Sequence, residues 1–161
     1  MAKEGLSIPG HFTLKRALFV LVLLAYSCSM PRIITFEDPL TAKEHNDLGV
    51  AYEQKGMFDL AEKEYKKAAE KQKDWAIPYF NLGNLSYRKG ALKSSEDYYR
   101  TALTYESNNP DILNNLANLL FEEGRREEAR DLIEQALLIQ RKEEYLDTYH
   151  KILGKEKQDS R

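Results

Sequence analysis

Few side chains in this sequence are placed to do covalent chemistry. Histidine occurs at His11, His45 and His150, and the single cysteine is Cys28. A catalytic nucleophile needs a base within hydrogen-bond reach and a third group to orient that base. His45 and His150 are far apart in the chain with no serine or cysteine beside them, so both read as surface or half-buried residues. The acidic pairs Glu122-Glu123, Glu127-Glu128 and Glu143-Glu144 could attract a cation. Adjacent helical residues point about 100° apart, however, and converge poorly on one ion. With Arg125, Arg126 and Arg130 nearby, these pairs read as solvated faces. There is no Gly-rich phosphate loop, and a lone cysteine builds neither an internal disulfide nor a Cys-rich metal site. The expectation is a chain with no catalytic residue, metal, cofactor or small-molecule substrate.

What positions the remaining side chains is helix. The chain has 161 residues, 42% apolar and 31% charged, with five prolines and eight glycines, and is rich in Leu, Ala, Glu, Lys and Tyr. That composition favours an all-α fold over a β-branched, turn-rich one. The net charge of -2 hides interspersed signs, and the body has no polybasic run to neutralise phosphates, so nucleic acid is not an expected partner.

A fixed period organises the middle of the chain. Leu48-Gly49 recurs as Leu82-Gly83 and Leu116-Ala117, each 34 residues on. Gly56, Gly90 and Gly124 keep the same step, as do Ala61, Ser95 and Ala129, then Tyr65, Tyr99 and Ile133, and finally Ala68, Ala102 and Ala136. The small residues suit the crossing of two antiparallel helices, where backbones approach closely and the larger side chains fill the flanks. Gly56, Gly90 and Gly124 suit a tight turn with positive φ. Asn109 before Pro110 is a capping side chain followed by proline at the first helical position, and Asp74 before Trp75 is expected to cap in the same way. One hairpin leaves an apolar side bare, so three must stack and the last needs a cover. Leu146, Tyr149, Ile152 and Leu153 give Glu143 to Leu153 the stripe of a capping helix, which Gly154 ends.

These columns resemble the tetratricopeptide repeat (TPR), with Ala42, Ala76 and Pro110 as first positions. The resemblance covers Ala42 to Arg141 and departs from the repeat pattern at Ser86 and Leu120, where the aromatics shift by one place to Tyr87 and Phe121. It implies an α-solenoid of three helical hairpins plus a C-terminal cap. It also implies a groove lined by the first helix of each repeat, at Lys43, Asn46, Val50, Glu53 and Gln54, then Ile77, Phe80, Asn84, Tyr87 and Arg88, then Asp111, Asn114, Asn118, Phe121 and Glu122. Phe80, Tyr87 and Phe121 suit a binding hot spot, or alternatively fill the core in place of the shifted ring. Asn84, Asn114 and Asn118 suit an extended peptide backbone, since a carboxamide both donates and accepts. The Lys-then-Asn pair by which some TPR co-chaperones clamp an acidic C-terminus is replaced by Asn46/Val50, Phe80/Asn84 and Asn114/Asn118, so that ligand is not implied.

The first forty residues differ. Lys15-Arg16 precede an uncharged run from Ala17 to Met30 that would be roughly 21 Å long as helix, short of the roughly 30 Å hydrocarbon core, which is the layout of a signal peptide. Leu24-Ala25-Tyr26-Ser27-Cys28 resembles the lipobox of bacterial lipoproteins, with Ala25 and Tyr26 departing from its usual pattern. The resemblance implies cleavage before Cys28, acylation of Cys28 and a membrane anchor in the bacterial cell envelope, with Ser29 leaning toward the outer membrane, facing the periplasm. An ordinary cleaved signal and an uncleaved anchor are the alternatives. Met30 to Thr41, with Pro31 and Pro39, reads as an extended tether whose Ile33, Ile34 and Phe36 are expected to pack on the first hairpin, with a groove or a partner as the alternative.

The expected organisation is therefore a signal peptide (1–27), a tether (28–41), three repeats (42–75, 76–109, 110–141), a capping helix (142–154) and a charged tail (155–161). The expected function is protein or peptide binding by a lipid-tethered envelope adaptor. The alternative is a structural subunit of an envelope, pilus or secretion assembly that uses its convex face or cap.

Overall fold

The structure is a computed structural model that describes residues 38–154. The signal, Cys28, the residues Ile33 to Phe36 and the charged tail lie outside the described residues. Among those described, seven helices follow one another: α1 (Ala42–Gln54), α2 (Phe58–Lys71), α3 (Ala76–Arg88), α4 (Leu92–Tyr105), α5 (Pro110–Glu122), α6 (Arg126–Ile139) and α7 (Glu143–Leu153). Consecutive helices pack as antiparallel neighbours, and α7 rests on both α6 and α5. This is the all-α solenoid of three hairpins and a capping helix.

The starts and stops follow local chemistry. Thr41 and Glu44 form a capping box at α1, the Thr41 hydroxyl oxygen accepting from the Glu44 N–H at 3.2 Å and the Glu44 carboxylate accepting from the Thr41 N–H at 2.7 Å. At α5 the Asn109 side chain accepts from the Asp111 and Ile112 N–H groups, with Pro110 as first residue. Asp74 does not act in this way: Trp75 is the N-cap of α3, in extended conformation and without a side-chain capping bond. Gly56, Gly90 and Gly124 turn each hairpin with φ of 72°, 74° and 81°, values costly for any residue bearing a Cβ.

The crossing of each hairpin is set by a small residue against a large one. A Cβ added to Gly49 would sit 2.5 Å from the Tyr65 ring, and one added to Gly83 would sit 2.5 Å from the Tyr99 ring. Both tyrosines are almost fully buried. The third hairpin carries Ala117 where the others have glycine, and there the ring is replaced by Ile133. Each repeat thus keeps the summed volume at the crossing.

Successive hairpins bury Leu82, Leu85, Ile112, Leu116 and Leu119 completely, whereas the matching Leu48 and Ala51 of α1 stay half-buried. The stacking is reinforced on the second helices by charge. Glu96, 6% exposed, accepts from Arg125 of the next repeat at 2.8 Å and from Arg100 at 2.9 Å, and Glu128 pairs with both arginines. Burial raises the Glu96 pKa, but Arg125 and Arg100 outweigh it and hold the carboxyl below its ordinary range. One step earlier, Lys89 bridges Glu62 at 2.8 Å and Asp59 at 3.1 Å.

Two further placements differ from the sequence expectations. His45 is fully buried rather than at the surface or half-buried, its Nδ1 2.6 Å from the Glu64 carboxylate, with Lys67 on the same carboxylate. In α7 the buried stripe is Tyr145, Thr148 and Ile152, while Leu146, Tyr149 and Leu153 remain half-buried. Thr148 on the inner face donates to the Glu144 carbonyl of its own helix at 3.1 Å and accepts from Asn118 of α5 at 2.9 Å, so its hydroxyl is satisfied there.

Candidate functional site

The first helices of the hairpins, α1, α3 and α5, are joined side by side, with α7 as the fourth member, by hydrogen bonds between residues about one repeat apart. Asn81 Nδ2 donates to Asn46 Oδ1 at 2.9 Å, and Arg88 donates to Glu53 at 2.5 Å. Asn115 Nδ2 donates to Asn84 Oδ1 at 2.8 Å, and Tyr87 donates to Glu122 at 2.6 Å. Between α5 and α7, Asn118 Nδ2 donates to Thr148, Tyr145 donates to Asp111, and Lys142 pairs with Asp111 at 2.7 Å. Lys142, then Tyr145, hold the Asp111 carboxyl below its ordinary range.

Between these rungs two cavities open along α3. One, of about 430 Å³, is lined by Val50, Glu53, Gln54, Tyr65, Asn81, Asn84 and Arg88. The other, of about 310 Å³, is lined by Asn84, Tyr87, Arg88, Tyr99, Asn115 and Asn118. Asn84 and Arg88 border both, so the middle repeat is shared between them.

The residues proposed from the sequence fall into three groups. Val50, Asn84, Tyr87, Arg88 and Asn118 line the cavities. Asn46 and Asn114 are each only 7% exposed, so their side chains act within the wall; Asn114 Nδ2 donates to Asn115 Oδ1 at 3.2 Å. The aromatics divide their surface between the two roles open at the sequence level. Phe80 is half-buried with its ring centroid 6.1 Å from that of Tyr99, and Tyr87 packs on the core through its ring. Burial, then Glu122, pushes the Tyr87 hydroxyl up to about 12, so it stays a donor at neutral pH. Phe121 is half-buried between the guanidinium of Arg126, 5.3 Å from the ring centroid, and the ammonium of Lys151 at 5.5 Å. Ile77 is the most open apolar member, at 41% exposure.

Sequence reasoning passed over Asn81 and Asn115, which are 34 residues apart and line the cavities beside Asn84. Their shared repeat position was the available signal. Tyr99 was assigned to packing alone, yet its hydroxyl reaches the same cavity and donates to Asn84 Oδ1 at 2.7 Å.

A third cavity, of about 450 Å³, lies between α6 and α7 and is lined by Glu134, Leu137, Leu138, Arg141, Leu146, Tyr149 and His150. Leu138, 86% exposed, occupies a repeat position held by Glu70 and Thr104 in the earlier hairpins. Among the described residues no group of three or more His, Cys, Asp or Glu side chains is placed to hold a metal, and no helix is long and apolar enough to cross a membrane.

Helical hairpins at a 34-residue step, closed by a capping helix, define an all-α repeat protein. Two family models for the tetratricopeptide repeat match the chain, over residues 46–109 and 87–152, and the chain belongs to that family. Among solved structures it is similar to the first TPR of Spaghetti (RPAP3) bound to HSP90 peptide SRMEEVD, at 18% identity and TM-score 0.68, over 74% of this chain and 96% of that one. It is also similar to Pseudomonas aeruginosa pilF, at 25% identity and TM-score 0.63, over 69% of this chain and 51% of that one, about half its length. The TPR protein YrrB, described as having an unusual peptide-binding site, is similar at 20% identity and TM-score 0.64, over 70% of this chain and 58% of that one. No curated protein sequence matches the chain.

Proposed function

We propose that this chain is a non-catalytic adaptor that captures an extended segment of a partner protein in the groove formed by α1, α3, α5 and α7. The observation that carries this reading is the pair of cavities meeting at Asn84 and Arg88, where carboxamides and aromatic edges are left open by a wall otherwise cross-linked within itself. Peptides bound by the TPR of Spaghetti support a peptide as the kind of ligand. Replacing Ile77 or Phe80 by alanine is expected to weaken capture of the partner from a native membrane extract by about 1–3 kcal/mol each. Unchanged capture by both folded variants would contradict the reading.

The adaptor works, in this proposal, at the bacterial cell envelope, tethered through acylated Cys28 and facing the periplasm from the outer membrane. The support is the basic pair and short apolar run that end at the sole cysteine. Intact mass of the chain from the membrane fraction is expected to show a start at Cys28 with added acyl mass; an unmodified soluble product would overturn the tether. A second reading, a structural subunit that docks through its cap, is favoured by one observation, the exposed Leu138 above the α6–α7 cavity.

A further inference from the structure

Independently of what the groove holds, we infer that the cavity between α6 and α7 is the seat of a second copy of this chain, whose own α6 enters it antiparallel and receives α6 of the first copy in return. The repeat itself shows what the cavity lacks. Its α6 wall, Glu134, Leu137, Leu138 and Arg141, stands two repeats after Lys66, Ala69, Glu70 and Lys73. Those earlier residues form one wall of a cavity of about 240 Å³, and the other wall is Tyr79 and Leu82 of α3 with Tyr98 of α4. The repeat equivalent of Tyr98 is Leu132 of α6, which packs against the core.

One repeat further on, the first helix is α7, and no second helix follows it among the described residues. The cavity there widens to about 450 Å³, with Leu146 and Tyr149 of α7 facing α6 and no counterpart of Tyr98 or Leu132. Lys155 to Arg161 include no apolar side chain that could supply one. A seat for a helix is therefore left open at the end of the array, at the place the two earlier steps fill from within.

The rim of this seat also carries a side chain of the kind that would fill it. Leu138 is 86% exposed where the earlier repeats have Glu70 and Thr104. An apolar side chain projecting beside an open apolar cavity is self-complementary: under a two-fold axis each Leu138 enters the cavity of the other copy, an isologous contact. Charge selects the antiparallel direction. With the axis between Leu137 and Leu138, Glu134 of each copy stands opposite Arg141 of the other, just past the end of α6. The Glu134 carboxylate accepts from Arg130 at Oε1, which leaves its second oxygen for this pair, and Arg141 is exposed. A parallel contact would set like charges together.

Native mass spectrometry of the full chain, released from detergent, is expected to show a species of two chains. Leu138→Glu changes an exposed side chain, so it is expected to keep the urea midpoint of the parent while raising the dissociation constant of the dimer by about tenfold or more. Glu134→Arg and Arg141→Glu are each expected to weaken the dimer by about tenfold, because each sets like charges opposite in both halves of the contact. Mixing these two variants is expected to restore a dimer containing one chain of each, since both pairs then have opposite sign. A photo-crosslinking residue at Leu138 is expected to yield only a product of two copies of this chain. A chain that stays single at all concentrations, a dimer that none of the three variants weakens, or a mixture that forms no mixed dimer would overturn the inference. So would two results that name another occupant: an adduct from Leu138 with a different protein gives the seat to a foreign helix, and a Leu138→Glu variant that unfolds at lower urea gives it to this chain's own residues. All of these outcomes leave the groove reading where it stands.

Discussion

Gly83→Ala is expected to destabilise the protein by about 3 kcal/mol, and Tyr99→Ile introduced beside it is expected to recover much of that loss. The added methyl would meet the Tyr99 ring at 2.5 Å, against a side chain that is 2% exposed and cannot swing out. Something in α3 or α4 must shift, and the close approach of the two helices is lost. The third hairpin shows the alternative solution in the same chain, since Ala117 and Ile133 stand at the matching positions, both fully buried. The rescue isolates crossing volume from any general intolerance of α3, because Tyr99→Ile alone leaves a cavity and removes the hydrogen bond to Asn84. Urea midpoints of the two single variants and the double variant measure the coupling. A Gly83→Ala midpoint equal to that of the parent, or a double variant less stable than either single one, would contradict this account of the hairpin.

Tyr145→Ala is expected to cost about 3–5 kcal/mol, the range for emptying the site of a fully buried ring. Tyr145 is 0% exposed and carries α7 onto the array together with Ile152, so its removal uncovers the end of the stack that the cap exists to close. Tyr145→Phe separates ring from hydroxyl. It keeps the packing and loses only the bond to Asp111, which Lys142 continues to hold at 2.7 Å, so a cost near 1 kcal/mol is expected. Hydrogen exchange would show where the loss falls: in Tyr145→Ala the amides of α5 and α6 are expected to lose protection before those of α1 and α2, since stability in repeat arrays passes between neighbours. Equal stability of the alanine variant and the parent would mean that α7 is not the cover of the array.

How much of this was legible depends on how local the cause is. The hairpin turns at Gly56, Gly90 and Gly124, the start of α5 at Asn109-Pro110 and the end of α7 at Gly154 each follow from one or two residues, and all stand where they were expected. Asp74 failed as a cap because the residue at the cap position of α3 is Trp75, one place on. The face of α7 was misjudged because Leu146, Tyr149 and Leu153 extend the apolar stripe through Ile152, whereas Thr148 interrupts the one that is buried. The helix instead turns Tyr145 and Thr148 inward, toward hydrogen bonds with Asp111 and Asn118 that only the folded array supplies. Burial of His45 was hidden for the same reason, since its partner Glu64 comes from the other helix of the hairpin. The rungs from Asn46 to Asn81, Glu53 to Arg88 and Tyr87 to Glu122 all step by 35 residues, one more than the repeat. The rung from Asn84 to Asn115 steps by 31 instead, so these contacts join unlike repeat positions, which no column of like residues records.

The groove as working surface is tested most directly by placing a photo-crosslinking residue in turn at Ile77, a groove position by the repeat resemblance, at Lys93 on α4 and at Leu138 above the cap cavity, in cells that carry the full chain. All three positions are exposed. The expected result is one discrete partner adduct from Ile77, absent from Lys93 and Leu138 and lost when Asn84 and Asn118 are both replaced by alanine. A partner captured from Leu138 or Lys93 and not from Ile77 would contradict the account and assign the work to the outer face of the array.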